Sequence, residues 1–251
     1  MTGPHKATAS ARQVRRPRPV RLGPVAPPVV LVHGWGGSFE QTWESTGFTE
    51  LLRDAGRTVI GVDLLGHGTA PKPHDPAAYA DLTSRVRDAC PGEPVDAIGF
   101  SLGAITLLQF ALREPQRLNR LVVAGIGASL FDTDDSRTQR IVAALEGHGD
   151  PDDNLARMFV QYANHEGNDL LALTAIMKRP RSPMSPEQMS AVTCPTLLVI
   201  GDRDFAGPGQ PLADALPDAT LRTLRNVDHF ATPEAFGFID AALAFLDAVP
   251  Q

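Results

Sequence analysis

Short apolar runs rich in β-branched residues recur along the chain, at 27–34 (PPVVLVHG), 58–66 (TVIGVDLLG), 95–100 (VDAIGF), 118–127 (LNRLVVAGIG) and 194–202 (CPTLLVIGD). Each runs into Gly or Asp at its C-terminal end. Apolar runs this short, with no polar alternation, fit strands buried on both faces. The stretches between them carry helical spacing instead. Segment 48–56 (FTELLRDAG) closes on Gly56, a helix stop signal. Segment 102–115 sets Leu102, Ile105, Leu108 and Leu112 on one stripe, and Pro115 ends it. Segment 233–249 opens with Pro233 at a first helical position and aligns Phe236, Ile239, Leu243 and Leu246. Strands alternating with helices predict an α/β fold, a mostly parallel, doubly wound sheet with helices on both faces.

The alternation breaks between 129 and 192. Segments 136–150, 153–167 and 168–180 read as consecutive helices with no strand between them, and 179–190 (RPRSPMSPEQMS) has loop chemistry. This predicts a helical cap at 129–192, inserted into one core domain made of 26–128 and 193–251. The chain's 251 residues suit one such domain. The cap carries Met158, Phe159, Tyr162, Leu170, Leu171, Ile176 and Met177. Met158, Phe159 and Tyr162 are expected to form an apolar substrate-binding wall, with other members filling the cap's own core.

Composition narrows the function classes. Hydrophobic residues are 43% and charged residues 21%, ordinary for a soluble globular protein. A net charge of -6 argues against nucleic acid as the main partner. The two cysteines, Cys90 and Cys194, each sit beside a proline. A disulfide framework is not expected, and a cytoplasmic setting is. No apolar run approaches the roughly 20 residues needed to span a bilayer. Residues 1–25 form a basic, Pro/Arg-rich stretch, and no acidic residue precedes Glu40. The expectation is a mobile tail rather than a transit peptide, because its prolines spoil an amphipathic helix.

Candidate chemistry centres on Gly99-Phe-Ser-Leu-Gly103, at a strand end and directly before a helix. A strand-to-helix turn this sharp needs small neighbours, pushes the serine oxygen into the open and backs it with a helix N-terminus. Ser101 is therefore the expected nucleophile. It needs a base, and the base needs an orienting acid. His229 lies in the loop before the last helix and Asp204 just beyond the 194–202 run, giving the chain order Ser, Asp, His. Asp202 and Asp132 compete for the acid's role. Asp202 is still at the strand edge, suited to holding the turn, and Asp132 opens the cap. Asp228, beside His229, is expected to point away from it. The backbone N–H groups of Trp35, in LVHGWGG, and Leu102 are the expected oxyanion donors. His33 should brace its loop and His67 should line the rim. No Lys-Ser/Thr follows GWGG, so a phosphate loop is excluded. His5, His74, His148 and His165 have no partners at metal-ligand spacing, so neither metal nor other cofactor is expected.

Together HGWGG, GFSLG, GDRD and DHF, in that order, resemble the α/β-hydrolase superfamily from about Pro27 to Leu246. Two features depart from the family's pattern. Its members commonly open with two antiparallel strands, for which the N-terminal stretch leaves little room. They also often carry Gly where this chain has Asp228. The resemblance, with serine rather than aspartate at the elbow, implies acyl chemistry on a small or medium ester through an acyl-enzyme. A small-molecule ester is the implied partner, with no nucleic acid and no membrane span. Perhydrolase or haloperoxidase-like, thioesterase and C–C bond hydrolase activities use similar triads and stay open. So does a non-catalytic ligand-binding relative.

Overall fold

A computed structural model describes residues 26–181 and 183–250. The basic stretch 1–25, read above as a tail, lies outside the described residues. The sheet contains β1 (Val29–Val32), β2 (Val59–Val62), β3 (Val95–Phe100), β4 (Leu118–Ala124), β5 (Thr196–Gly201) and β6 (Ala219–Leu224). Their order is β2-β1-β3-β4-β5-β6, and every pairing is parallel. The five apolar runs supply β1 to β5. β6 was not expected from pattern, because an edge strand need not be apolar throughout: Arg222 and Thr223 are exposed while Leu224 is buried.

Around the sheet lie α1 (Phe48–Asp54), α2 (Thr83–Ala89), α3 (Leu102–Arg113), α4 (Ser136–Leu145), α5 (Asn154–Ala163), α6 (Leu170–Met177), α7 (Pro186–Met189), α8 (Gln210–Ala215) and α9 (Phe236–Phe245). Alternate strand residues feed two cores, as the pleat requires. Val30, Ala97, Leu121, Val123 and Leu198 pack with residues of α2, α3 and α8. Leu31, Ile98, Val122, Leu197 and Val199 pack with residues of α1 and α9 on the other face.

Three helix expectations need correction. α3 is buried around most of its circumference, while Ile105 and Leu112 are only half-buried. It crosses the middle of the sheet, against β1, β3 and β4, with α2 beside it. Pro233 belongs to a separate 3₁₀ turn, Thr232–Glu234, so α9 starts at Phe236 and leaves that ring 83% exposed. Phe238, Ala242 and Leu243 face the sheet instead. The proline-rich 179–190 segment contains α7, started by Pro186 in its first turn and a capping box between Ser185 and Gln188.

Between β4 and β5 the chain runs through α4 to α7. Asp153 and Asp169 cap α5 and α6, accepting from Ala156 N and Ala172 N at 3.0 Å each. Apolar residues of α4, α5 and α6, among them Ile141, Phe159 and Ile176, join the core cluster of the α3 face. A buried ion pair ties the opposite end of the sheet. Arg57 pairs with Asp96 of β3 and also donates to the carbonyls of Pro27 and Leu246, the latter at 2.7 Å.

Candidate active site

The strand order reverses direction at β1, whose neighbours are β2 on one side and β3 on the other. In open α/β sheets the crevice outside the carboxyl ends at such a switch point is where ligands bind. Trp35 follows the end of β1, and Ser101 follows the end of β3. Ser101 takes φ 50° and ψ −113°, a backbone conformation that L residues rarely adopt. Its neighbours explain how. A Cβ at Gly99 would stand 2.7 Å from Ala104 N, and one at Gly103 would stand 2.3 Å from the Val32 carbonyl oxygen. Only glycine lets α3 begin this close to β1 and β3.

The loops after β5 and β6 bring the other two expected groups to the serine. His229 Nε2 lies 2.9 Å from Ser101 Oγ. His229 Nδ1 lies 2.9 and 3.0 Å from the Asp204 carboxylate oxygens. Both side chains are almost fully buried, and Ser101 is half-buried. Asp204 Oδ1 also accepts from Ala206 N at 2.8 Å, which fixes the carboxylate. An anionic Asp204 beside Nδ1 makes that nitrogen the donor and leaves Nε2 free to accept the serine proton. A hydroxyl held this way can give up its proton as its oxygen attacks a carbonyl.

The competing acids do not reach His229. Asp202 Oδ1 accepts from Asn226 N at 2.7 Å, tying the loop after β5 to the loop after β6. Asp132 is exposed. Asp228 accepts from Ala231 N at 3.0 Å, on the outer side of the histidine loop.

The expected oxyanion donors flank the serine. Leu102 N–H is the first of α3, and a Cβ on Gly34, next to Trp35, would lie 3.3 Å from Ser101 Cβ. Among the described residues neither the Trp35 nor the Leu102 N–H has a protein acceptor. The loop behind Trp35 is braced by His33, whose Nε2 accepts from Leu64 N at 3.1 Å, so Nδ1 carries the proton and donates to Gly34 O at 2.7 Å. His67 does not line the rim. It is fully buried against His33, with ring centroids 4.9 Å apart, because its loop folds inward at Gly66 and Gly68, both in left-handed conformations. Burial, and secondarily His33, push the His67 imidazole down to about 3. Burial also lowers His33, against the pull of the Gly34 carbonyl and Asp63.

Of the three expected wall residues, Phe159 and Tyr162 face the site and Met158 does not. Phe159 touches Trp35, Phe205 and Phe230, with centroids 5.2, 5.8 and 5.9 Å away. Tyr162 packs on Phe230 at 5.4 Å. Met158 is exposed, in a surface groove with Gly147, Gly149 and Arg157. The helical period decides this: Ala156, Phe159 and Ala163 form the buried face of α5, and Met158 lies roughly 100° round from Phe159. Leu171 is likewise exposed, whereas Ile176 is fully buried. Sequence reasoning gave no role to Phe100, Phe205 and Phe230, which surround the His229 ring at 5.0, 4.2 and 5.4 Å. Their signal was available, since each is the immediate chain neighbour of Ser101, Asp204 or His229.

A family model described as the alpha/beta hydrolase fold matches residues 27–148, the stretch from β1 through α4. Residues 27–148 match the α/β-hydrolase family, and the whole described chain has the α/β-hydrolase fold. A pimeloyl-[acyl-carrier protein] methyl ester esterase of Neisseria meningitidis (serogroup B, serotype 15) is 36% identical over 111 residues, 43% of this chain and 39% of that protein. A 2-hydroxy-6-oxo-2,4-heptadienoate hydrolase of Pseudomonas putida is 37% identical over 114 residues, 43% of this chain and 40% of that protein. The match thus spans well under half the length of these curated relatives. Over the whole fold, a serine hydrolase involved in carbazole degradation superposes with a TM-score of 0.65 at 27% identity, covering 88% of this chain and 91% of that one. The family-model match includes Ser101 but stops before Asp204 and His229, so the geometry of those two stands on the structure described above.

Proposed function

We propose that this protein is a serine hydrolase that cleaves small or medium carboxylic esters through an acyl-enzyme. The observation that carries the reading is the unbroken hydrogen-bonded line from Ser101 through His229 to Asp204, set beside two N–H groups that have no acceptor among the described residues. In this reading Ser101 Oγ attacks the ester carbonyl while His229 Nε2 takes its proton. The carbonyl oxygen becomes an oxyanion, held by the N–H groups of Trp35 and Leu102. The intermediate collapses, and His229 returns the proton to the departing alkoxide. Water, deprotonated by the same histidine, then attacks the acyl-enzyme and frees the acid and Ser101. Asp204 holds the imidazole in the working tautomer and stabilises it when charged. Helices α4 to α7 act as a cap, and Phe159 and Tyr162 meet Phe205 and Phe230 of the core loops in an aromatic wall, with Arg137 of α4 5.8 Å from the Phe205 ring. That surface suits an apolar acyl or alcohol group.

A second reading, hydrolysis of a C–C bond next to a carbonyl, has support in the likeness to the heptadienoate hydrolase. One assay set separates the two and tests both. The protein is treated with a fluorophosphonate probe, then offered p-nitrophenyl esters of rising chain length and, in parallel, vinylogous diketo acids. Labelling at Ser101 with ester turnover falling off at long chains is expected. Labelling with turnover of the diketo acids alone would assign the second reading. No labelling would remove both.

A further inference from the structure

The Trp35 N–H can stabilise an oxyanion only if its turn keeps one orientation, and that turn has its own means of movement. Gly37 N donates to Gly34 O at 3.2 Å, closing a four-residue turn, with Gly36 at φ +75°. Three of its four residues are glycines. A glycine-rich turn of this kind gives up much backbone freedom when it is held in one state. Its own hydrogen bond is a single one. Besides His33 at Gly34 O, the groups that hold it come from α5, α6 and the connection between them.

Asn168 Nδ2 donates to the Gly36 carbonyl at 2.8 Å and to the Tyr162 carbonyl at 3.2 Å. One amide thereby joins the turn to the end of α5. The Tyr162 ring lies against Gly36, so close that a Cβ there would come within 2.7 Å of Tyr162 Cδ1. From the other side, Trp35 Nε1 donates to the Leu173 carbonyl of α6 at 3.1 Å, a buried bond. A segment more than 120 residues away in the chain thus grips both corner residues of the turn.

The geometry points to Asn168 as a positioning residue for catalysis: through the Gly36 carbonyl it sets the direction of the turn that presents the Trp35 N–H to the oxyanion. This role rests on the reading of Ser101 as the nucleophile. Its consequence is specific. The turn matters little to a bound ester in the ground state and strongly to the tetrahedral intermediate, so loosening it should lower kcat and leave KM nearly unchanged. Removing an oxyanion donor outright costs on the order of 10² to 10³ in kcat, and misdirecting one should cost roughly ten- to a hundredfold.

The test compares Asn168→Ala and Asn168→Asp with the wild-type protein. Aspartate keeps the shape but replaces the donor with a group that repels the Gly36 carbonyl. Both variants should lose roughly ten- to a hundredfold in kcat, with KM within about twofold. Affinity for a trifluoromethyl ketone, which forms a tetrahedral adduct with the serine, should weaken by the same factor as kcat/KM. Affinity for the product carboxylic acid should stay put. The acid limb of the pH–rate profile should not move, since the clamp touches neither His229 nor Asp204. Gln41→Ala, which removes an exposed contact to Glu166 between the same two regions, should behave as wild type. A merely structural role would instead raise KM and weaken product binding along with the adduct. If Asn168→Ala fails to fold, Asn168→Asp and Trp35→Phe, which loses the bond to Leu173 but keeps an aromatic ring, carry the test. Asn168→Asp with wild-type kcat and adduct affinity would overturn the proposal. If the wild-type protein neither reacts with the fluorophosphonate nor turns over any substrate, the functional reading falls and takes this role with it. A reactive wild type with unchanged variants sinks the clamp alone.

Discussion

Ser101 keeps a positive φ because its surroundings leave no alternative, and its Oγ meets His229 because of that φ. Replacing it with alanine removes the proposed nucleophile and little else. Turnover and fluorophosphonate labelling should both vanish, a loss on the order of 10⁶ in kcat, while the melting temperature stays close to wild type. A folded Ser101→Ala protein with even a tenth of the activity would remove the residue from the mechanism. The two neighbouring acids give a sharper comparison. Asp204→Asn should cost roughly 10⁴ in kcat, because an amide facing Nδ1 favours the tautomer that cannot take the serine proton. Asp202→Asn should leave kcat nearly intact and lower stability by about 1 kcal/mol through the weakened bond from Asn226 N. Three Michaelis–Menten curves and three melting curves decide it, and an inactive but folded Asp202→Asn would reverse the assignment. These acids were distinguishable in the sequence because their distance from a strand end limits a short side chain's reach. Met158 and His67 were not, since each depends on which way a helix or loop turns inward.

At the scale of elements, the elbow and the sheet are one object. Gly103 sits under the carbonyls of Val32 and His33, 2.3 and 2.5 Å from where its Cβ would be. Those are backbone atoms of β1 and the loop leading to Trp35, and they cannot swing aside. Gly103→Ala should therefore destabilise the fold by about 2–3 kcal/mol, seen as a lower urea midpoint, and lower activity by pushing that loop away from Ser101. A Gly103→Ala protein with an unchanged midpoint would contradict the contact. Sequence pattern found β1 to β5 because strands buried on both faces must be apolar throughout. It missed β6 because an edge strand answers to a weaker demand. It overreached on α9 because periodicity gives a helix's phase only once its first residue is known.

For the molecule as a whole, the buried His33–His67 pair sets a limit on acid stability. Both imidazoles are held neutral in the folded protein, with His67 lowered to about 3 and His33 lowered in the same direction. In the unfolded chain both protonate near the ordinary value of about 6.5. The unfolded state thus binds more protons between those values, so stability rises with pH across this window and is lost as pH falls below about 6.5. Asp63 adds to the trend lower down. Burial pushes its carboxyl up, but the N–H groups of Phe39 and Thr69, the Thr69 hydroxyl and His33 outweigh that and hold it below the usual range. Urea melts from pH 7 to 4 should show stability falling by up to about 1.4 kcal/mol per pH unit for each buried histidine. His67→Gln should flatten the slope, and a wild-type protein equally stable at pH 7 and pH 4.5 would refute the account.

The chain's own pattern was enough to determine the α/β class, the parallel sheet, the helical stretch between β4 and β5, and Ser101, Asp204 and His229 as residues to watch. Those features follow from local rules: apolar runs make buried strands, and short polar side chains at strand ends have few places to go. Only the tertiary structure decided that Phe159 and Tyr162 face the serine while Met158 faces water, and that Asn168 reaches back to the Gly36 carbonyl. Each of these joins residues tens to more than a hundred positions apart in the chain. Their meeting depends on the order in which strands enter the sheet and on the rotation of α5 about its axis, and neither is written in any local stretch.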